Sequence, residues 1–238
     1  MRVAELWRYP VKSLQGERVS SALLTARGIE GDRGHAIFDV ETGFGLTARR
    51  APQLLSASAA LGSDGVVRIV LPDGSLADDD AALSDWLGRP VQLRSCDEVV
   101  ARRYEDVADV ETEAPDSWSP FSGAGGAFHD SDRANVSMLS LASVGGWNPR
   151  RFRANLLLEG DGEDELVGSE VQIGSGRMTV IKPIDRCVMT TRPQPGGIEK
   201  DLDVLRTIRR ERMGKLAVGC VVTAPGRLQV GDEVRPAS

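Results

Sequence analysis

"SEVQIGSGRMTVIKPIDRCVMTTRPQPGG", Ser169 to Gly197, decides the fold class. Two runs rich in β-branched residues flank Gly174-Ser175-Gly176, which has the residue types of a tight hairpin turn. The second run ends at Arg186-Cys187 and then breaks into Pro and Gly, so an extended segment finishes on a thiol. Working outward, "RFRANLLLEG" (151–160) and "LAVGCVVTAPGRLQVGDEVRP" (216–236) repeat the same character. The second half therefore reads as mostly β.

The first hundred residues read the same way. Short alternating segments at Arg2–Tyr9, Val19–Ala26, His35–Val40, Val66–Leu71 and Pro90–Cys96 predict an antiparallel sheet or barrel. A helix is predicted from Asp79 to Leu87, with acidic residues at its N-terminus and Gly88 and Pro90 as stop signals, covering a barrel end. Ser140 is a good N-cap for a short helix stopped by Gly145 and Gly146. A third helix, Asp201 to Met213, carries Leu202, Leu205 and Ile208 as its apolar stripe and a face of solvated arginines. Acidic and then small residues from Ala101 to Gly126 read as a connecting or lid segment. The division predicted is residues 1–105, a connector at 106–126, and 127–238.

The chain has 238 residues, enough for a sizeable core, and a formal net charge of -6. That acidity argues against a general affinity for nucleic acid or anionic lipid, so any anion must be held locally. The opening residues alternate without an apolar h-region, and no run approaches the roughly 18 apolar residues of a membrane span. A cytoplasmic, soluble protein is expected. Three widely spaced cysteines, Cys96, Cys187 and Cys220, suggest neither a disulfide framework nor a four-cysteine metal site.

Cys96 and Cys220 lie in apolar strand text and read as small core residues. Cys187 has that reading too, but Arg186 beside it favours thiolate, the form that attacks electrophiles and binds soft metals. Lys12 and Ser13 follow the first strand, Arg33 sits in a Gly-flanked turn, and Arg153 and Asn155 begin a strand. Each could be a surface ion-pair partner or, at a strand end with free backbone N–H groups, part of a phosphate grip. His129, Asp130 and Asp132 in "HDSDR" read as a solvated turn rather than a metal loop.

In order, "YPVKSL", "GIEGDRGHAIFD", "LTARRAPQL", "RFRANLLLEG", "RCVMTT" and "GRLQVGDEV" resemble the MOSC family, named for the molybdenum cofactor sulfurase C-terminal domain, with its N-terminal β-barrel partner. The resemblance spans nearly the whole chain and is strongest to the amidoxime-reducing proteins. It implies a mostly β fold with a few short helices, a MOSC β-barrel beside an N-terminal barrel-like domain. It also implies the molybdenum cofactor in its molybdopterin form, with Cys187 as the thiolate ligand of the metal. Lys12, Ser13, Arg33, Arg153, Asn155 and Arg186 would hold the pterin and its phosphate, and the role of Thr47 and Arg49 in "TAR" stays open. Asp185 replaces the serine found before Arg-Cys in the mitochondrial members, and is expected to act in proton delivery or to point away. Gly219 stands where those members have a tyrosine.

The implied activity is reduction of N-hydroxylated small molecules, of the amidoxime or N-oxide type. Electrons would come from an external ferredoxin- or flavoprotein-type donor, without nucleic-acid or membrane partners. The alternative is a sulfur or molybdopterin carrier that uses Cys187 as a persulfide or cofactor-holding thiol. A purely structural module is a third reading.

Overall fold

The computed structural model describes residues 1–99, 101–107, 117–131 and 133–237, so Asp132 and part of the connector lie outside the described residues. In chain order the strands are β1 (Arg2–Arg8), β2 (Glu17–Val19), β3 (Ser21–Thr25), β4 (Gly28–Ile29), β5 (His35–Asp39), β6 (Ser58–Leu61), β7 (Val67–Val70), β8 (Val91–Ser95) and β9 (Arg103–Val107). There follow β10 (Trp118–Ser122), β11 (Val136–Ser140), β12 (Leu156–Glu159), β13 (Glu170–Ile173), β14 (Gly176–Asp185), β15 (Lys215–Ala224), β16 (Gly226–Gln229) and β17 (Arg235–Pro236). Three helices, α1 (Asp80–Leu87), α2 (Leu141–Val144) and α3 (Asp203–Arg212), complete a mostly β architecture, as expected.

The hairpin at Gly174 forms, with Ile173 opposite Gly176. It belongs to an eight-stranded sheet in the order β17-β13-β14-β15-β11-β12-β1-β2. Val3 donates to Asp232 O and Val234 to Met1 O, which curls the sheet by bringing β1 against the chain leading into β17. Inside the curl, alternation places Val3, Leu6, Met138, Leu156, Met178, Val180, Val218 and Cys220 at 1% exposure or less. The predicted segment Val19–Ala26 is two strands, because Ser20 bends the chain so that β3 leaves this sheet and pairs with β16.

Strand pairing crosses the predicted connector: β1 and β2, early in the chain, are part of the sheet made by its second half. A separate core of Val11, Leu14, Ile37, Leu54, Leu55, Ile69, Leu83, Leu87 and Val91 gathers β5 with β8, β6 with β7, and α1. Asp79 caps α1 by accepting from Ala82 N, and Gly88 ends it at φ 66. Ser140 caps α2 as predicted. In α3 the buried stripe is Val204, Leu205 and Ile208 rather than Leu202, which stands at the N-cap before the first helical turn.

The segment read as a connector contains a β-ribbon. β9 and β10 pair antiparallel, with Tyr104 opposite Phe121. The acidic text hid this because β9 buries only Tyr104 and Val107. Tyr104 docks the ribbon: a Cβ on Gly45 or on Gly123 would lie 2.3 Å from its ring, so both positions must stay bare. Of the two cysteines read as core, Cys220 is fully buried, whereas Cys96 is half-buried at the edge of the Ala36-Phe38-Phe128 cluster.

Candidate functional site

Strand β14 carries the sheet into the site. Its pairing with β15 shifts register between Arg177 and Met178, Val180 and Lys182, and Pro183 and Asp185. Pro183 has no N–H to give the ladder and sits among these irregularities, where a proline in an inner strand is tolerated. The bends turn the C-terminal end of β14 out of the apolar core, so that Lys182, Ile184, Asp185, Arg186 and Cys187 all line one cavity of about 420 Å³.

Cys187 opens a 3-10 turn, Val188–Thr191, and its carbonyl accepts from Thr190 N at 3.1 Å and Thr190 Oγ1 at 3.0 Å. Arg151 clamps this loop from below, donating to the carbonyls of Thr190, Arg192 and Glu199. The thiol is thus held on a pinned backbone while its side chain stays half-exposed to the cavity.

The other cavity residues come from remote turns. Five non-glycine residues have positive φ, and three of them are Ser13 (70), Arg33 (52) and Arg153 (51), all on the cavity wall. Left-handed backbone is uphill for such residues and persists where surrounding structure enforces it, commonly at binding sites. Ser13 Oγ accepts from Ala48 N at 3.0 Å and keeps its own hydrogen to donate. Arg33 pairs with the buried Asp32 and donates to Arg153 O at 3.2 Å. Arg153 donates to Leu14 O at 2.6 Å. Both guanidinium groups lie over the ring of Tyr9, at 5.1 and 4.3 Å from its centroid. Burial pushes the Tyr9 hydroxyl up to about 12, so it stays neutral beneath them.

Lys12 is 6% exposed, donates to Phe128 O and pairs with Asp130. Asp130 also faces Arg49 at 3.7 Å. Desolvation beside the cavity works against the charge, yet Lys12 and Arg49 outweigh this and hold the carboxyl far below the usual range. His129 is the reverse case: burial, then Arg33, brings it down to about 4, so it is neutral at pH 7. Asp130 is therefore a counter-ion to Lys12 and Arg49. No group of three or more His, Cys, Asp or Glu able to hold a metal is present among the described residues.

Of the residues singled out from sequence, Lys12, Ser13, Arg33, Arg153, Asn155, Asp185, Arg186 and Cys187 all line this cavity. Asn155 differs from the rest in what its side chain does. Its Oδ1 accepts from Ser137 N and Oγ and its Nδ2 donates to Trp7 O, which ties β1, β11 and β12 together and leaves one amide hydrogen over. Arg186 likewise spends Nε on Leu216 O and Nη1 on Phe152 O. Asp185 is exposed and has no side-chain partner. Gly219 is packed tightly: a Cβ there would lie 2.7 Å from Cβ of Ala134.

Arg49 is the residue the sequence left open. Its guanidinium meets Asp130, Cys187 and Asp106, which outweigh burial and raise its pKa. Arg49 therefore joins Arg186 as a cation acting on the Cys187 side chain. A recurring "TAR" phrase was the only signal for it.

The cavity fits an anion bearing a soft metal. Seven Lys or Arg line it against three Asp, in a chain of net charge -6. Burial brings Arg153 and Arg186 down to about 10, a cost that a bound anion would relieve. Arg186 Nη2, Arg49 Nε and Thr47 Oγ1 are buried polar atoms without hydrogen-bond partners, and all three residues are on the wall. Cys187, half-exposed on this wall, offers a soft sulfur ligand.

Known proteins place the chain. Over 89% of its length it is 26% identical to mitochondrial amidoxime reducing component 2 of Bos taurus, covering 72% of that protein. It is 27% identical over 98% of its length to mitochondrial amidoxime-reducing component 1 of Mus musculus, covering 81%. It is 27% identical over 93% of its length to molybdenum cofactor sulfurase of Drosophila willistoni, of which it spans 31%. Among solved structures, the YUAD protein of Bacillus subtilis is 14% identical with a TM-score of 0.45, covering 98% of this chain and 93% of that one. The MOSC N-terminal beta barrel domain matches residues 1–112 and the MOSC domain residues 125–235, so the chain belongs to the MOSC family.

Proposed function

We propose that the cavity binds the molybdenum cofactor in its molybdopterin form and that the protein reduces N-hydroxylated compounds, of the amidoxime or N-oxide type, with electrons from a separate ferredoxin- or flavoprotein-type donor. The observation that carries this reading is the convergence of Lys12, Ser13, Arg33, Arg153 and Arg186, from distant parts of the chain, on the cavity that holds Cys187 and Arg49. When bound, the cofactor supplies two-electron chemistry at a metal able to accept an oxygen atom.

The chain's own residues do the rest. Arg33 and Arg153, pinned to each other and to Tyr9, present fixed guanidinium planes for a phosphate. Lys12 and Ser13 add donors from the adjoining turn. Cys187 supplies the sulfur ligand, with Arg49 and Arg186 on the same wall. Asp185, exposed at the mouth, is placed to pass protons between solvent and a bound substrate. No helix among the described residues is long and apolar enough to cross a membrane. A cytoplasmic location, and the absence of nucleic-acid and membrane partners, are part of the proposal.

The second reading, a sulfur or cofactor carrier, draws on the similarity to molybdenum cofactor sulfurase. Protein from a host that makes the cofactor, given reduced methyl viologen and benzamidoxime, separates the two. Turnover that Cys187→Ala abolishes supports the reductase. Bound cofactor without turnover supports the carrier.

A further inference from the structure

Six of the seven cations on the cavity wall are committed. Lys12, Arg33 and Arg49 have carboxylate partners, and Arg151, Arg153 and Arg186 donate to main-chain carbonyls. Lys182 is the exception: half-buried on β14, its side chain has neither a hydrogen bond nor an ion pair among the described residues. The carboxylates divide in the same way. Asp106 faces Arg49 and Asp130 pairs with Lys12, but Asp185 makes no side-chain hydrogen bond or ion pair among the described residues and meets only the field of its neighbour Arg186. Lys182 and Asp185 share the outer end of one strand without pairing to each other. Ala134 and Ile184 give the wall beside Lys182 an uncharged strip, and both pack against Gly219, which stands opposite Lys182 in the ladder.

An ammonium and a carboxylate without ion-pair partners on one wall, next to an apolar strip, complement a ligand with a carboxylate at one end, an apolar spacer and a hydrogen-bond-donating nitrogen head at the other. We propose that Lys182 and Asp185 select N-hydroxylated substrates that also carry a carboxylate, Lys182 binding that carboxylate and Asp185 facing the nitrogen head. This rests on the reductase reading above. In the reaction an amidoxime, R–C(NH2)=N–OH, takes two electrons from the external donor and two protons; the N–O bond breaks, giving the amidine R–C(NH2)=NH and water. The amidine is a stronger base than the amidoxime and gains one further proton from solvent. Asp185 thus meets a head that becomes cationic only as product.

The test compares benzamidoxime with 4-carboxybenzamidoxime, using cofactor-loaded protein and reduced methyl viologen. The ratio of their kcat/KM values favours the carboxylate-bearing compound in the native protein. It falls about tenfold in Lys182→Ala, mostly through KM, as loss of one partly shielded ion pair implies, and is restored in Lys182→Arg. Calorimetric titration of the same loaded proteins with 4-carboxybenzamidine and benzamidine reads the same preference without turnover. An unchanged ratio, or equal affinity for the two amidines in native protein, overturns the inference while leaving the reductase intact. Loss of molybdenum from Lys182→Ala also overturns it, because Lys182 then holds cofactor. Loaded protein that reduces neither compound refutes the reductase reading instead, and the calorimetric comparison then decides whether the mouth selects carboxylates.

Discussion

Cys220 and Cys187 belong to one pair of strands and occupy opposite environments. Cys220 on β15 lies across from Val180, is fully buried, and has its thiol pushed up to about 12 by burial alone. Cys187, just past the other end of β14, is half-exposed and stands against Arg49, with Arg186 next to it. One end of the strand pair is an apolar core that disfavours charge, and the other is a cavity where seven Lys or Arg face three Asp. Pro183 and the register shifts around it make the change within ten residues. Residue type therefore says little about a thiol here, and position along the bent strand says nearly everything.

The sharpest contrast comes from truncating each thiol. Cys187→Ala lowers benzamidoxime turnover by at least about 10³-fold, equivalent to ~4 kcal/mol of barrier, with the urea midpoint unchanged. Cys220→Ala keeps turnover and costs about 1 kcal/mol of stability, the usual scale for a small core truncation. Next in size, Met178→Ala, at the core end of β14, costs about 2–5 kcal/mol in urea denaturation because the buried site cannot collapse around the cavity left. Retained molybdenum in that variant would show that the two ends are energetically separate.

At the cavity end, iodoacetamide alkylates Cys187 at least about tenfold faster than Cys220, because the one side chain is half-exposed and the other fully buried. Peptide mapping identifies the labelled residue in native protein.

The smallest effect is on pH dependence. His129 is held neutral, with its pKa brought down from 6.5 to about 4, so the unfolded chain takes up its proton first as pH falls. The stability that His129 contributes is present above pH 6.5 and is lost as pH falls toward 4. Asp130, also depressed, extends the loss to lower pH. His129→Gln flattens the urea midpoint between pH 6.5 and 4 if this assignment holds, and leaves the slope intact if other groups dominate.

Much of this was legible in the chain, and the exceptions have physical causes. The hairpin at Gly174, the acidic helix start at Asp79, the cap at Ser140 and the stop at Gly88 depend on local backbone chemistry, and the structure agrees at each. The β9–β10 ribbon was missed because Tyr104 gains its burial from Gly45 and Gly123, a tertiary fit with no periodicity. Pairing of β1 with β12 joins residues about 150 apart, which no local pattern reports. The cavity residues were reached through the order of motifs, since single arginines look alike in sequence. Lys182 and Asp130 carry no motif; their roles depend on which charges face them in the fold.

The central claim is that the pocket end of β14 holds an anionic pterin cofactor through Cys187 and the surrounding cations. Molybdenum and pterin content of protein purified from a cofactor-producing host tests it most directly, alongside Cys187→Ala and Arg153→Ala. Near-stoichiometric molybdenum and pterin in the native protein, with molybdenum lost from Cys187→Ala and both reduced in Arg153→Ala, is the predicted result. Folded native protein that carries neither would contradict it.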